Sequence, residues 1–191
     1  MTRRGFMQGM ALAGVAAGMP LRGWTAEQPR FKTKLQKALI APVADDATCE
    51  RIAKAGFPGV ELTKKDITLE DAQKGRAIAE KHGVKIHSFM AGWADFGNAD
   101  AEARRRSIED IKRLIRVTAA YGADAMLLVP CLRMGGTIQN PTQFKIVYDP
   151  ATCQIKSVVE GDNAPFADYI ATHNRASDLA RAGVEELIPV A

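Results

Sequence analysis

The chain has 191 residues, 47% of them hydrophobic and 25% charged, which suits one ordinary globular domain. Its formal charge is +4, but residues 1–26 hold Arg3, Arg4 and Arg22 and no acid, so the remainder carries only +1. That balance excludes an electrostatic footprint for DNA or RNA. Three cysteines with no CxxC pair and no ligand spacing to the three histidines give neither a disulfide framework nor a zinc cluster.

The N-terminus reads Thr2-Arg3-Arg4-Gly5-Phe6-Met7, followed by an apolar run rich in Ala and Gly through Met19. Paired arginines with a large apolar residue two positions on form the pattern of a twin-arginine signal. The run is too short to span a bilayer, and five glycines between Gly5 and Gly23 would weaken any helix that had to be stable in water. Residues 1–26 therefore read as a twin-arginine signal peptide, cleaved near Ala26, with no stable membrane span and an exported, periplasmic destination.

A cadence of strands and helices comes next. Lys37–Ala41 reads as a strand closed by Pro42. A helix is expected from Asp46, as its cap, to Ala55, with Gly56 as its stop. Gly59–Leu62 is a second strand. Thr68-Leu-Glu-Asp71 matches a capping box that opens a helix to Lys81, ended by Gly83. Val84–Phe89 is a third strand. Ile108, Ile111, Leu114, Ile115 and Thr118 recur at helical spacing in a helix that Gly122 ends, and Ala125–Val129 is a fully apolar fourth strand. Residues 132–167 break the pattern, with Phe144–Tyr148 and Gln154–Glu160 reading as a β-hairpin around Asp149-Pro150. A last helix is expected from Phe166 to Leu187.

Strands that are apolar without alternation are buried on both faces, as in a parallel sheet sheathed by helices. Such a sheet is open or closed. No glycine-rich turn follows the first strand, where an open dinucleotide-binding sheet would need one, so the pattern favours a (β/α)₈ barrel. The fold class expected is α/β, of TIM-barrel type, truncated after four β/α units, with a hairpin insertion after strand 4. Four strands leave two open edges and an unsealed core, so either partner halves self-associate through those edges or residues are missing.

Particular segments carry a resemblance. Ala38-Leu-Ile-Ala-Pro42, Ala55-Gly-Phe-Pro-Gly-Val-Glu-Leu62, Ile86-His-Ser88 with Gly92-Trp93, and Tyr121-Gly-Ala-Asp124 with Leu128-Val-Pro-Cys131 resemble the xylose-isomerase-like barrel superfamily. Gly161-Asp-Asn-Ala-Pro165 and Leu187-Ile-Pro-Val-Ala191 resemble its exported sugar phosphate isomerase/epimerase branch. The resemblance implies residues 27–191 as the N-terminal half of such a barrel. It also implies a divalent metal, bound by acidic and histidine residues on the last four strands, and proton transfer between adjacent sugar carbons. Those positions would lie beyond Ala191, so no metal ligand carries over onto this chain.

The candidate substrate-binding residues are Glu61, His87, Trp93 and Arg133. Glu61 ends an apolar strand, where barrel enzymes place working groups; it would hold a sugar hydroxyl, or serve as a structural carboxylate beside Lys64 or Lys65. His87 is expected at the analogous position of the third strand, where an imidazole binds substrate oxygens or moves protons. Trp93, in the loop after that strand, offers a platform for a sugar ring. Arg133, after the fourth strand, would engage a phosphate or carboxylate in two parallel hydrogen bonds. Cys131 has no base nearby in sequence, and His82 reads as a charge complement to a helix C-terminus.

The expected function is isomerisation or epimerisation of a sugar, sugar phosphate or polyol by metal-assisted proton transfer beside a carbonyl. Its partner is a small-molecule sugar and not nucleic acid. A non-catalytic carbohydrate-binding half-barrel is the alternative. An abasic-site nuclease of the same superfamily ranks below both, because the leader and the near-neutral charge oppose it. If the leader reading holds, replacing Arg3 and Arg4 with Lys leaves the protein in the cytoplasm, as cell fractionation would show; unchanged export removes the reading.

Overall fold

The computed structural model describes residues 35–130 and 139–191. The leader over 1–26, Cys131 and Arg133 lie outside the described residues. All the described strands and helices belong to the unit Gln36–Ala191.

Strand β1 (Ala38–Ala41) leads to helix α1 (Asp46–Lys54), β2 (Gly59–Leu62), α2 (Leu69–Lys81), β3 (Lys85–Ala94), α3 (Ala101–Ala120) and β4 (Ala125–Pro130). The four strands form one parallel sheet in the order β1-β2-β3-β4. Parallel neighbours joined in sequence by right-handed crossovers put every connecting helix on the same face. This is the β/α half-turn of a TIM-barrel-like fold, as the alternation of apolar strands and helices predicts. Among the described residues, no helix is long and apolar enough to cross a membrane.

Local sequence sets where each helix starts and stops. The cap of α1 is Asp45 rather than the expected Asp46; its carboxylate accepts from the Thr48 N–H at 2.7 Å. Asp46 falls one position into the helix and pairs with Lys81 and His82, each at 2.9 Å. His82 therefore ties the end of α2 to the start of α1. Thr68 caps α2 as the capping box predicts, accepting from Asp71 N–H at 3.1 Å. Gly56, Gly83 and Gly122 follow the three helices with φ of 74°, 68° and 71°, the left-handed turn that only glycine adopts without strain.

The core lies between the sheet and these helices. Val60, Leu62 and Phe89 are fully buried, and Ala41 and Ile86 nearly so. They meet Cys49 and Ile52 of α1, Ala72 and Ala79 of α2, and Ile111, Leu114 and Val117 of α3. Each large aliphatic side chain buried there contributes about 1.5–3 kcal/mol. Tyr121 stacks on Phe89 with ring centroids 6.2 Å apart. Gly75 makes room for that ring, since a Cβ there would stand 2.9 Å from Tyr121.

The insertion after β4 holds a hairpin, shorter than expected: β5 (Val147–Tyr148) pairs antiparallel with β6 (Ile155–Ser157). Asp149 shapes its turn, accepting from the Ala151 and Thr152 N–H groups and pairing with Lys156 at 2.8 Å. Those donors, the Lys156 ammonium first, hold its carboxyl down at about 2. A short 3₁₀ turn (Ala164–Phe166) leads into helix α4 (Ala167–Glu185), and a second (Ile188–Val190) follows it. Asn174 of α4 imitates a strand edge. Its amide accepts from Ile155 N–H at 2.7 Å and donates to Ile155 C=O at 2.9 Å, while Gln154 donates to Asp178 at 2.9 Å.

Asn174→Ala removes both bonds to Ile155 and leaves its backbone groups unpaired, a loss of about 1–3 kcal/mol. Hydrogen exchange should quicken at Ile155 while the β1–β4 amides keep their protection.

Candidate functional site

Register decides which side chains leave the helix-covered face. Ile40, Glu61, Ser88 and Ala125 are consecutive cross-strand partners, as are Met90 and Leu127. Val60, Ile86, Phe89, Met126 and Leu128 belong to the core on the helix side. The opposite face therefore presents Ile40, Glu61, Ser88, Met90 and Leu127, and it stands open: Ile40 is 63% and Leu127 45% exposed.

Strand β3 carries two bulges that build this face. Val60 pairs with Ile86 but Glu61 pairs with Ser88, so His87 is an extra residue. Met90 pairs with Leu127 but Gly92 with Leu128, which makes Ala91 extra; Gly92 has φ of +66° there. Strict alternation from Ile86 would aim Ser88 at the helices and Phe89 away from them. The first bulge reverses that facing, so Ser88 joins Glu61 and Phe89 enters the core. Carried on unchanged, the new alternation would turn Trp93 inward. The second bulge returns it to the open side, level with Val129.

Glu61 is the centre of the site. The Ser88 hydroxyl donates to its carboxylate at 2.9 Å, and Ser88 is itself 6% exposed. A charge-assisted bond of this kind fixes the carboxylate and leaves its other lone pairs free for a ligand. Glu61 forms no ion pair with Lys64 or Lys65 among the described residues. Ser88 is not among the sequence-predicted site residues. It stands beside His87 in the sequence, and only the bulge reveals its direction.

Trp93 lies within β3, which runs on to Ala94, and not in a loop after Phe89 as expected. It is 73% exposed and projects on the open face towards the C-terminal end of the sheet. Its partner Val129 and the Ser88 partner Ala125 are four residues apart on β4, about 13 Å along the strand. Glu61 and Trp93 thus lie on the same face of the sheet, well apart along the strand direction.

His87, the third of ten residues in β3, does not reach the C-terminal end. Its ring lies near the N-terminal end of the sheet, beside Gly59 and Ala38, in a recess of about 280 Å³ that Lys37 and Lys85 also line. Nε2 is shielded from solvent with no hydrogen-bond partner. Lys85 pairs with Asp124, which holds the Asp124 carboxyl below its ordinary value. Glu61 and Trp93 are therefore brought to one face, with His87 beneath them and separate from the C-terminal end.

The divalent metal implied by the resemblance does not fit these residues. Among the described residues, no three His, Cys, Asp or Glu side chains converge as a metal would need. Glu61 has a hydroxyl donor as its neighbour, and His87 sits in its own recess towards the other end of the sheet.

The sequence of residues 49–149 matches the family of the xylose isomerase-like TIM barrel. That is more than half of the chain, and the chain belongs to this family. A solved structure from Anabaena variabilis ATCC 29413, described as a sugar phosphate isomerase/epimerase, is 14% identical with a TM-score of 0.51. The match covers 82% of this chain and 51% of that one. A xylose isomerase domain protein from Planctomyces limnophilus is also 14% identical, covering 82% and 53% with a TM-score of 0.43. D-psicose 3-epimerase, solved in the presence of D-fructose, is 13% identical, covering 76% and 50%, also at 0.43. The chain thus spans about half the length of these structures. No curated protein matches it.

Position on the sheet separates two roles that aromatic residues of β3 play. Phe89→Ala empties the core and should cost about 3–5 kcal/mol. Trp93→Ala should change stability by no more than about 0.5 kcal/mol, because an indole so exposed supports little packing within the chain. Paired thermal melts of the two variants check this.

Proposed function

We propose that this chain binds a sugar, or a sugar phosphate or polyol, on the open sheet face, as the substrate-orienting part of an isomerase or epimerase. The observation that carries the proposal is the Glu61–Ser88 pair: a carboxylate held by a buried hydroxyl at the middle of an otherwise apolar, exposed surface. Barrel enzymes build their sites from side chains at the C-terminal ends of the strands, and in this sheet Trp93 sits towards that end. The Anabaena variabilis structure is described as a sugar phosphate isomerase/epimerase, which agrees with this chemistry.

Glu61 would accept hydrogen bonds from neighbouring hydroxyls of the ligand while Ser88 keeps the carboxylate from turning away. An indole face covers the C–H side of a sugar ring, so Trp93 would orient a ring lying on this face. Holding the sugar in one pose is a contribution to rate in its own right, because it replaces a search among orientations with a fixed geometry. Proton transfer beside a carbonyl also needs a base and a group that stabilises the enediolate oxygens. Glu61 would serve as a positioning group for that step, and no metal-dependent step is assigned to these residues.

Titration of the chain with ketoses, aldoses and their phosphates, read by indole fluorescence, tests the proposal. Binding should perturb the emission, and Trp93→Phe should abolish the response. Glu61→Gln and Ser88→Ala should each weaken affinity about tenfold, the loss of one hydrogen bond to a charged group or its support. A response that is the same in all three variants, or no response to any sugar, removes the proposal.

A further inference from the structure

We propose that Lys65 is an anion-binding residue at the C-terminal end of the sheet, where it holds the phosphate of a sugar phosphate, and that Arg113 of α3 is its positioning residue. The inference rests on the sugar-binding reading of Trp93 and narrows it to phosphorylated sugars.

The loop that carries Lys65 is built as a fixed piece. Past Leu62 the chain still follows β1, because the Thr63 and Lys64 N–H groups donate to Ala41 and Pro42 C=O, each at 3.1 Å. It then turns on a bond from Ile67 N–H to Lys65 C=O at 3.0 Å, and Thr68 caps the start of α2. Arg113 reaches this turn from α3. Its guanidinium donates to Lys65 C=O at 3.1 Å and to Ile67 C=O at 3.3 Å. Asp110, one turn back on α3, accepts from the same group at 2.8 Å and keeps it aimed. A planar fork of donors can serve two carbonyls and a carboxylate together, which the single ammonium of a lysine does less well. The backbone from which Lys65 springs is therefore tied to β1 on one side and to α3 on the other.

From that anchor the side chain returns to the sheet. A Cβ built on Gly92 would stand 3.9 Å from the Lys65 ammonium and would meet no other described atom within 4 Å. Gly92 sits at the second bulge of β3 with φ of +66°, so the strand presents bare backbone beside the cation. Trp93 is the next residue. Consecutive Cα atoms are about 3.8 Å apart, so the cation and the root of the indole stand within the span of one sugar phosphate.

The charge of Lys65 is uncommitted within these β/α units. Among the described residues, Lys37 lies 5.3 Å over the Phe57 ring, Lys64 is within electrostatic reach of Asp71, and the remaining lysines form ion pairs. Lys65 forms none. Glu61 does not offset it, because the line of partners through Ser88 lies about 13 Å from Trp93 along the strand, beyond a screening length of about 8 Å in physiological salt. The Asp95 carboxylate takes the Asn98 amide at 2.7 Å. An ammonium is a compact point charge that suits a phosphate. The apolar face of the sugar would then lie on Trp93 and its phosphate on Lys65.

Calorimetric titration of the chain with D-fructose and D-glucose, each compared with its 6-phosphate, tests the assignment. The phosphate esters should bind about tenfold more tightly than the free sugars, and rising salt should erase that preference. Lys65→Met should bring ester and sugar to the same affinity and leave the free sugars unchanged, whereas Lys65→Arg should keep most of the preference. Arg113→Gln should weaken the esters alone, which a general loss of structure would not do. Esters and free sugars that bind equally overturn the assignment of Lys65 and leave the sugar reading standing. A preference that survives Lys65→Met also overturns it. Binding of none of the four ligands overturns both.

Discussion

Parallel sheets survive in water only when both faces are covered, because their connections carry the chain back across one side and leave strands that are apolar throughout. In this molecule three helices cover one face, and Val60, Leu62, Phe89 and Leu114 show how completely they do so. The other face has no such layer among the described residues. Ile40, Leu127 and Trp93 remain in contact with solvent there. The strength of the helix-side core lets the strands hold their register, and the bareness of the opposite side supplies the surface on which Glu61 is displayed. The covered side gives the sheet its core, and the opposite side gives the site its character.

Polar groups on that bare side are few and specifically held. Ser88 is buried and spends its hydroxyl on Glu61, so a carboxylate that would otherwise sweep through solvent is restrained in one orientation. Such restraint lowers the entropy a ligand must overcome when it binds. The rest of the surface is hydrocarbon, which suits a molecule with alternating C–H and hydroxyl faces better than a uniformly charged one. The insertion follows the same economy: Asp149 satisfies its turn and Asn174 satisfies its edge, so a two-residue strand pairs without a sheet around it.

Most of the architecture is legible in the sequence. The glycines at 56, 83 and 122, the Thr68 cap and the apolar runs place three helices and four strands within a few residues of where they lie. Element ends are less legible. Asp45 and Asp46 are chemically identical, and the structure gives the cap to Asp45, which accepts from Thr48 N–H, and the contacts with Lys81 and His82 to Asp46. The site is legible only in part. Glu61 is visible as a charge at the end of an apolar strand. Periodicity puts His87 too near the C-terminal end and Trp93 in a loop, because the apolar run stops at Phe89 while β3 continues to Ala94. Ser88 carries no signal of its own. The pair of bulges is the common cause: periodicity assumes one facing per residue, and a bulge is a local exception whose mark, a glycine or a small residue within a strand, is shared with many ordinary positions.

Those bulges also bear on how such a strand can change over generations. Within a regular strand, loss of a single codon turns every later side chain to the wrong face, and the core is exposed. Against β2, at His87, and against β4, at Ala91, the strand already contains a residue that the neighbouring strand does not match. Deletion there would leave Ser88 opposite Ala125 and Trp93 opposite Val129, with the alternation on either side already correct. The two bulges mark where this strand could have gained a residue while Phe89 stays in the core and Glu61 keeps its donor.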